Sequence, residues 1–299
     1  MDLELSEEQR MLVDAIDELL LRAPAELWQE LVDFGALDTD SLGAVELALI
    51  ARSIGRVLAS VPFVDSATAH YALSLPDGAS VGICDPESGV VSFGRTVELL
   101  IQRGDDATVI AQGAEGLDFE DVVTLDPSLH PVVVHVDAVT ATAPADGSPA
   151  ALAAAGAVLA TAEAVGAAGA VLALARDYAA ERRQFGHTIG SFQAIRHLLA
   201  DMHVKVESSW SSVLYAAAAL DEGHGDSRRT ASVAKAYGAR ATRWVAHAAL
   251  QVFGGIAFTD EHPAHRYLRR IVVRGGQFGT ALEHELELGR TLARVEART

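Results

Sequence analysis

The sequence predicts an α+β multidomain protein with an N-terminal helical domain, a small antiparallel β middle domain and a C-terminal four-helix bundle. Three observations predict it. Apolar residues recur at helical spacing through the first sixty residues, short β-rich runs begin near residue 75, and long helical stretches resume near residue 149. The 299 residues suffice for about two domains of roughly 150 residues each. We place the expected boundaries at 1–74, 75–148 and 149–299.

The N-terminal region has clear helix start and stop signals. Ser6 with Gln9 three positions later is a capping-box pattern that opens a first amphipathic helix. Pro24 opens a second helix, and Gly35 ends it. A third helix is expected over about residues 41–58.

The middle region alternates short apolar runs with Gly, Asp and Pro turns, which is typical of a small antiparallel sheet or barrel. Six strands are expected, at 80–84, 90–93, 97–102, 107–111, 121–125 and 131–137.

The C-terminal half is helical, and its first stretch is about half alanine, which implies close helix–helix packing. Four helices are expected, at about 150–181, 191–222, 226–253 and 279–296. Their length and short glycine-bearing connections are typical of a helical bundle.

Composition excludes several classes of function. Acidic residues outnumber basic ones 41 to 23, giving a net charge of −18 that disfavours nucleic acid and anionic lipid as partners. The single cysteine, Cys84, excludes a disulfide framework, and no metal site is expected. The start lacks signal-peptide features, and the apolar run 150–162 is too short to span a bilayer. We therefore expect a cytoplasmic protein that is not inserted in a membrane.

Two segments differ in composition from the rest of the predicted helical bundle. They read RRQFGHTIGSFQAIRH at 182–197, continuing LLADM, and QVFGGIAFTDEHP at 251–263. Each is a helix that ends near glycines and restarts through a polar loop, which brings backbone N–H groups, an arginine and glutamine amides together. This chemistry suits an anion or a nucleotide, although glycine-rich corners also simply turn a chain between packed helices.

These segments resemble the two C-terminal signatures of the acyl-CoA dehydrogenase family, in the same order and at similar spacing. In that family they hold the pyrophosphate and adenosine of an FAD whose flavin sits mainly in a neighbouring subunit. The resemblance therefore implies an FAD half-site formed by Arg182, Gln184, Phe185, Gln251, Gly254 and Gly255. Arginine supplies a charge-assisted phosphate contact, and glycine permits close backbone approach.

The departures from the family pattern concern catalysis. The two positions where members carry the glutamate base are occupied here by Phe278 and Gly156, which have no basic group. The middle domain is short, contains no tryptophan and lacks the Gly-Ser-Asp loop that helps to cover the flavin in members. The usual arginine–aspartate pair after the second motif reads Arg269-Arg270.

This combination resembles the short, non-catalytic subunits of heteromeric (α2β2) bacterial acyl-CoA dehydrogenases that act on steroid side-chain CoA thioesters. It implies a heterotetramer in which a full-length partner supplies the catalytic glutamate, the flavin pocket and most of the acyl-CoA contacts. In the family reaction that glutamate takes an α-proton while a β-hydride passes to the flavin. Two alternatives stay open: a self-sufficient homo-oligomeric flavoenzyme with Glu163 as a relocated base, and a flavin-free scaffold protein.

Overall fold

The computed structural model describes residues 4–85, 87–102, 108–111, 117–135, 142–144 and 147–296. Within these ranges it has the predicted architecture of N-terminal helices, a small β region and a helical bundle. The predicted fold class is therefore confirmed.

The N-terminal region contains four helices, one more than predicted. They are α1 (Glu7–Arg22), α2 (Leu27–Asp33), α3 (Ala44–Val57) and α4 (Phe63–Ala72). The capping box at Ser6 is present, with the Gln9 N–H donating to the serine hydroxyl. Pro62 reads in the sequence as the end of a helix, but the chain uses it as the N-cap of α4, where its missing N–H costs no hydrogen bond.

The β region forms two small sheets. Its strands are β1 (Val81–Cys84), β2 (Val90–Val91), β3 (Leu99–Gln102), β4 (Thr108–Ala111), β5 (Asp118–Asp121), β6 (Val132–His135) and β7 (Thr142–Pro144). One sheet has the order β1-β3-β4-β7 and the other β2-β6-β5. Among the described residues, these pairings are antiparallel except that of β1 with β3. Those two strands run parallel because β2, which lies between them in the chain, pairs in the other sheet.

One strand forms earlier in the chain than predicted. The sequence predicts a strand over 121–125, but the strand is Asp118–Asp121, and Phe119 lies opposite Val134. Val123 and Leu125 then lie exposed in the following loop, so their β propensity is not used.

The bundle contains the four predicted long helices and one short helix that the sequence analysis missed. The long helices are α5 (Pro149–Glu181), α6 (Gln193–Asp221), α7 (Ser227–Phe253) and α9 (Ala281–Glu296), and the short one is α8 (Ala264–Gly276). The hairpin strands β8 (Arg183–Gln184) and β9 (His187–Thr188) join α5 to α6.

Helix α5 is the central element of the core. It is long and apolar enough to cross a membrane by length and composition alone, but 78% of its most apolar window is buried inside the protein. It packs on α3, α4, α6, α7 and α8. Its apolarity is therefore that of a bundle's core helix, which is apolar all round because it is covered all round.

Two glycines allow α3 and α5 to pack backbone against backbone. Gly55 of α3 lies against the carbonyl of Glu163, and Gly166 of α5 lies against the carbonyl of Arg52. A Cβ at either position would overlap the facing carbonyl oxygen. The N-terminal helices thus pack on the bundle with a distance between the α3 and α5 backbones that only glycine permits.

A second contact between the two regions is polar. The Asp221 carboxylate at the end of α6 accepts hydrogen bonds from the backbone N–H groups of Ala44 and Val45, at 2.6 and 3.1 Å, and from the Tyr71 hydroxyl at 3.1 Å. The first backbone N–H groups of α3 have no partner within the helix. Asp221, which ends a helix of the C-terminal bundle, therefore acts as their cap.

Gly166→Ala should lower the free energy of unfolding by about 3 kcal/mol, since the new methyl group meets rigid backbone and forces α3 and α5 apart. The matched control is Gly169→Ala in the same helix, whose Cβ would lie at an ordinary 3.8 Å from Val206 Cγ1. That control should be neutral or stabilising by up to about 1 kcal/mol through helix propensity. Urea denaturation of both variants measures the difference, and equal stabilities would contradict the close-packing interpretation.

Candidate functional site

The two sequence motifs lie at the same end of the bundle. Helices α5 and α7 run in the same direction because one helix, α6, returns the chain between them, so their C-terminal ends are neighbours. The ring of Tyr178, one turn before the end of α5, packs edge-on against Phe253, the last residue of α7, at 5.3 Å between centroids. This contact brings the Arg182 loop and the Gly254 loop together.

The first loop is a tight hairpin that projects an aromatic side chain. Phe185 and Gly186 connect β8 to β9 with φ values of 52° and 81°, the left-handed pair that a two-residue hairpin requires. The Arg183 guanidinium donates to the Gly186 carbonyl at 3.1 Å and closes the turn. Phe185 is 89% exposed although its backbone is strained, which is unusual for a large apolar residue at a hairpin tip.

The remaining polar residues of this loop are also at the surface. Arg182 caps the end of α5 and is exposed, and Gln184 is exposed with its amide donating to the Arg183 carbonyl at 2.9 Å. Arg182 has no ion-pair partner among the described residues. Its charge is therefore available for an anion.

The second loop presents open backbone. Gly254 ends α7 with φ 70°, and a Cβ on either Gly254 or Gly255 would point into empty space. Gln251 is exposed one turn earlier, and Phe258 is 78% exposed just beyond. The residues predicted to form the half-site are thus exposed at one end of the bundle.

The two positions expected to hold a base in the family contact each other. The Phe278 ring packs onto Gly156 so closely that any Cβ at residue 156 would overlap the ring. Phe278 is buried and has φ 57°, so the loop after α8 turns the ring inward.

Two cavities adjoin Phe278. The larger one, of about 630 Å³, lies between the first turns of α5, α7 and α9, and its lining includes Ala154, Arg229, Glu283 and His284. The smaller one, of about 260 Å³, lies between the β region and the end of α8, and its polar lining includes Asp65, Asp85 and Asp126. Cofactor pockets usually measure about 300–1,000 Å³. The smaller cavity lies below that range and the larger one lies within it.

The alternative base, Glu163, is a counter-ion in a buried network. Its Oε1 accepts a hydrogen bond from Arg270 Nη1 at 2.6 Å, and its Oε2 lies 3.0 Å from Arg274 Nε, a charge contact without hydrogen-bond alignment. Glu163 and both arginines are almost fully buried. A carboxylate held between two guanidinium groups, away from the contact of Gly156 with Phe278, is not positioned as a base.

Arg270 extends the network to the other two regions. It donates to Asp126 at 2.6 Å, to the Ser128 hydroxyl at 2.8 Å and to the Ala59 carbonyl at 3.2 Å. Burial opposes ionisation, but the charges of Glu163 and Asp126 raise the pKa of Arg270. Burial likewise opposes the Asp126 charge, but Arg270 and hydrogen bonds from Ser128 lower the pKa of Asp126.

This network gives a physical reason for one sequence departure. The resemblance places an aspartate at position 270, and a buried arginine there requires anionic partners. Glu163 and Asp126 supply them from 107 and 144 residues away. Glu163 is therefore interpreted as a partner of Arg270.

The sequence did not reveal a buried lysine that lies beneath the loop following α8. Lys235 of α7 is fully buried and donates to the Arg274 carbonyl at 2.6 Å, which caps the end of α8. Burial, helped by the Arg274 charge, lowers the pKa of Lys235 to about 7. Nearby, His284 Nε2–H donates to the Phe278 carbonyl at 2.9 Å, and Nδ1 accepts from Ser232 at 3.0 Å. These contacts hold the loop that carries Phe278 in place.

Comparison with known proteins identifies the class. The family model "Acyl-CoA dehydrogenase, C-terminal domain" matches residues 151–281. Acyl-CoA dehydrogenase IpdE2 of Mycolicibacterium smegmatis is 30% identical over 242 residues, covering 75% of this chain and 71% of that protein. The chain therefore belongs to the acyl-CoA dehydrogenase family, whose cofactor is FAD.

Solved structures share the fold over almost the whole chain. A chain of the ChsE4–ChsE5 complex from Mycobacterium tuberculosis superposes with a TM-score of 0.81 at 22% identity, covering 98% of this chain and 99% of that one. A chain of the Tcur3481–Tcur3483 steroid acyl-CoA dehydrogenase variant superposes with a TM-score of 0.78 at 24% identity, covering 97% and 99%.

Glu163→Gln should lower the free energy of unfolding by about 3–5 kcal/mol, because it leaves two buried guanidinium groups without their carboxylate. The control is Glu287→Gln on the exposed face of α9, which should change stability by less than about 0.5 kcal/mol. Chemical denaturation measures both. Wild-type stability in Glu163→Gln would mean that the network is not holding α8.

Lys235 should make stability rise with pH above neutrality. Between the folded pKa of about 7 and the ordinary 10.5, the unfolded chain binds more protons than the folded chain, so raising the pH favours folding. The gain from pH 7 to pH 8 should be about 1 kcal/mol from this residue. Urea denaturation at both pH values should show that gain in the wild type but not in Lys235→Met, and parallel profiles would contradict the assignment.

Proposed function

We propose that this chain is the non-catalytic subunit of a heteromeric FAD-dependent acyl-CoA dehydrogenase. It presents the half-site for the pyrophosphate and adenosine of FAD, and a full-length partner carries the flavin pocket, the catalytic glutamate and most of the acyl-CoA contacts. The observation that carries the proposal is the contact of Phe278 with Gly156, which fills both base positions of this chain with each other.

The half-site residues fit their role chemically. Arg182 is an exposed and unpaired cation, Gln184 and Gln251 are exposed amides, Gly254 and Gly255 leave backbone open, and Phe185 offers a flat apolar ring. Charge-assisted and backbone hydrogen bonds suit pyrophosphate, and an aromatic ring suits an adenine face. When bound, FAD supplies the acceptor for the two electrons of the dehydrogenation. This chain's contribution is to hold and orient the end of the cofactor that does not react.

The expected substrate class is a CoA thioester of a steroid side chain. The support is the family, the short β region, and fold neighbours that include a complex of two chains and a steroid acyl-CoA dehydrogenase. Two subunits of each kind form the assembly that we propose.

The two alternatives have less support. A self-sufficient enzyme requires a base, and Glu163 is enclosed by Arg270 and Arg274. A flavin-free scaffold has no use for an exposed Phe185 at a strained turn beside an unpaired Arg182.

The test is a flavin titration of the complex made by co-expressing this chain with a full-length acyl-CoA dehydrogenase chain of the same genome that carries the glutamate. We expect one FAD per pair of chains, and no dehydrogenation by this chain alone or by its Phe278→Glu variant. Arg182→Ala should weaken FAD retention by about 1.5–3 kcal/mol, the range for a charge-assisted hydrogen bond. Arg176→Ala, an exposed arginine of the same helix, is the control.

Two results would overturn the proposal. Two FAD per pair would show that this chain has an intact flavin site of its own. FAD content at the wild-type level in both Arg182→Ala and Gln251→Ala would show that these residues do not hold the cofactor.

A further inference from the structure

The loop that carries Gly254 and Gly255 is held by few of its own side chains. We call residues 254–261, which follow α7, the Gly254 loop. Of its eight residues only Ala257 is buried, and the large apolar side chains of Ile256 and Phe258 are exposed. A segment with so little buried surface opens easily unless its ends are held. The position of the two glycines therefore depends on the residues that join the ends of the loop.

His262 joins these two ends. Its ring centroid lies 4.3 Å from that of Phe253, the last residue of α7, with 56° between the ring planes. Phe253 is buried and meets Tyr178 of α5 edge-on at its other contact. Aromatic rings in such tilted and edge-on arrangements attract each other beyond the burial of their area. The rings of Tyr178, Phe253 and His262, which we call the ring cluster, therefore close the Gly254 loop at its base.

The imidazole of His262 also caps the start of α8. Its Nδ1 accepts a hydrogen bond from the backbone N–H of Ala264 at 3.2 Å. Ala264 is the first residue of α8, and Pro263 before it provides no side-chain cap. The first N–H groups of a helix have no partner within the helix, so this donor needs an outside acceptor. His262 thus ties the end of α7 to the start of α8 by two separate contacts.

Both contacts favour a neutral imidazole. A ring nitrogen that accepts a hydrogen bond carries no proton, and protonation would turn Nδ1 into a donor that faces another donor. The positive end of the α8 dipole opposes an added positive charge at the same place. Burial lowers the pKa of His262, and the charge of the neighbouring His265 lowers it further.

An imidazolium at position 262 would have no counter-ion in the described part of the chain. On α8 the titratable group that faces it is His265, whose Nδ1 is buried without a hydrogen-bond partner. On α7 and α5 the neighbours are the aromatic rings of Phe253 and Tyr178. The carboxylates of the loop itself, at residues 260 and 261, are exposed and form no ion pair with His262.

We propose that His262 is a positioning residue of the FAD half-site. Its neutral imidazole holds the Gly254 loop so that Gly254 and Gly255 present open backbone, and acidification releases this hold. The inference rests on the proposed function, because the loop is a cofactor contact only if the half-site assignment is correct. His262 acts through the loop and not on the reacting atoms.

The first measurement is amide hydrogen exchange of residues 254–261 in this chain alone, which needs no cofactor. His262→Asn keeps an acceptor near the position of Nδ1 and removes the ring, whereas His262→Phe keeps a ring and removes the acceptor. Each should speed exchange of the loop about fivefold, the effect of losing one cap or ring contact. His224→Asn, an exposed histidine beside the first turn of α7, is the control and should leave the loop unchanged.

The unmutated chain gives the same test without a substitution. Relative to intrinsic exchange rates, its loop should exchange faster at pH 5.5 than at pH 8, because this interval spans the protonation of an imidazole. Wild-type exchange in both variants, or no effect of pH on the unmutated loop, would overturn the inference.

The second measurement is the dissociation constant for FAD of the co-expressed complex at pH 8 and pH 5.5. In the wild type it should rise about threefold or more on acidification through His262. Both His262 variants should bind FAD about fivefold more weakly at pH 8 and should show a smaller change with pH. A purely structural defect would weaken binding equally at both pH values, so the wild-type pH dependence would persist in the variants. Urea denaturation checks that the variants are folded.

The outcomes separate this inference from the proposed function. Weaker FAD binding in Arg182→Ala but not in the His262 variants leaves the half-site standing and overturns the role of His262. Wild-type FAD binding in Arg182→Ala, Gln251→Ala and the His262 variants overturns both. Faster loop exchange together with weaker FAD binding and a flattened pH dependence supports the inference.

Discussion

The buried ion network around Arg270 is the interaction on which the arrangement of the three regions depends. Arg270 and Arg274 come from α8, Glu163 from α5 and Asp126 from the β region, so two positive charges meet two negative ones in the interior. Such a cluster offsets its desolvation only when every member is present. Because α8 is held in this way, the loop that follows it has a fixed position, and Phe278 is directed onto Gly156. The contact of Phe278 with Gly156 is thus a consequence of how α8 is packed.

The bundle could be predicted from sequence because long helices carry their own periodicity, and the four predicted helices lie where expected. Helix α8 was missed because four arginines obscure its apolar face, and two of them are buried by ion pairing. A pairing across more than a hundred residues has no local signature, so Glu163 could be noticed but its partner could not. The β strand at Asp118 was placed too late because Val123 and Leu125 favour a strand but lie exposed.

The candidate site, too, could be predicted only in part from the sequence. The motifs identified the loops, and helix direction alone places both at one end of the bundle. Whether those loops enclose a pocket or project outward depends on side-chain orientation, which the motif does not specify. Here Phe185 points outward and Gly254 faces open space. This exposure supports the proposal that a second chain covers the cofactor motif.

The contact between Gly156 and Phe278 also determines how readily either residue can be replaced by a carboxylate. A glutamate introduced at position 156 would overlap the Phe278 ring. A glutamate introduced at position 278 would lose the apolar packing of that ring against Gly156. The stability cost of a substitution at one position therefore depends on the residue at the other, which is steric epistasis. A single substitution that introduces a carboxylate at either position therefore lowers stability. Once the two residues had come into contact, selection on the fold alone would maintain both.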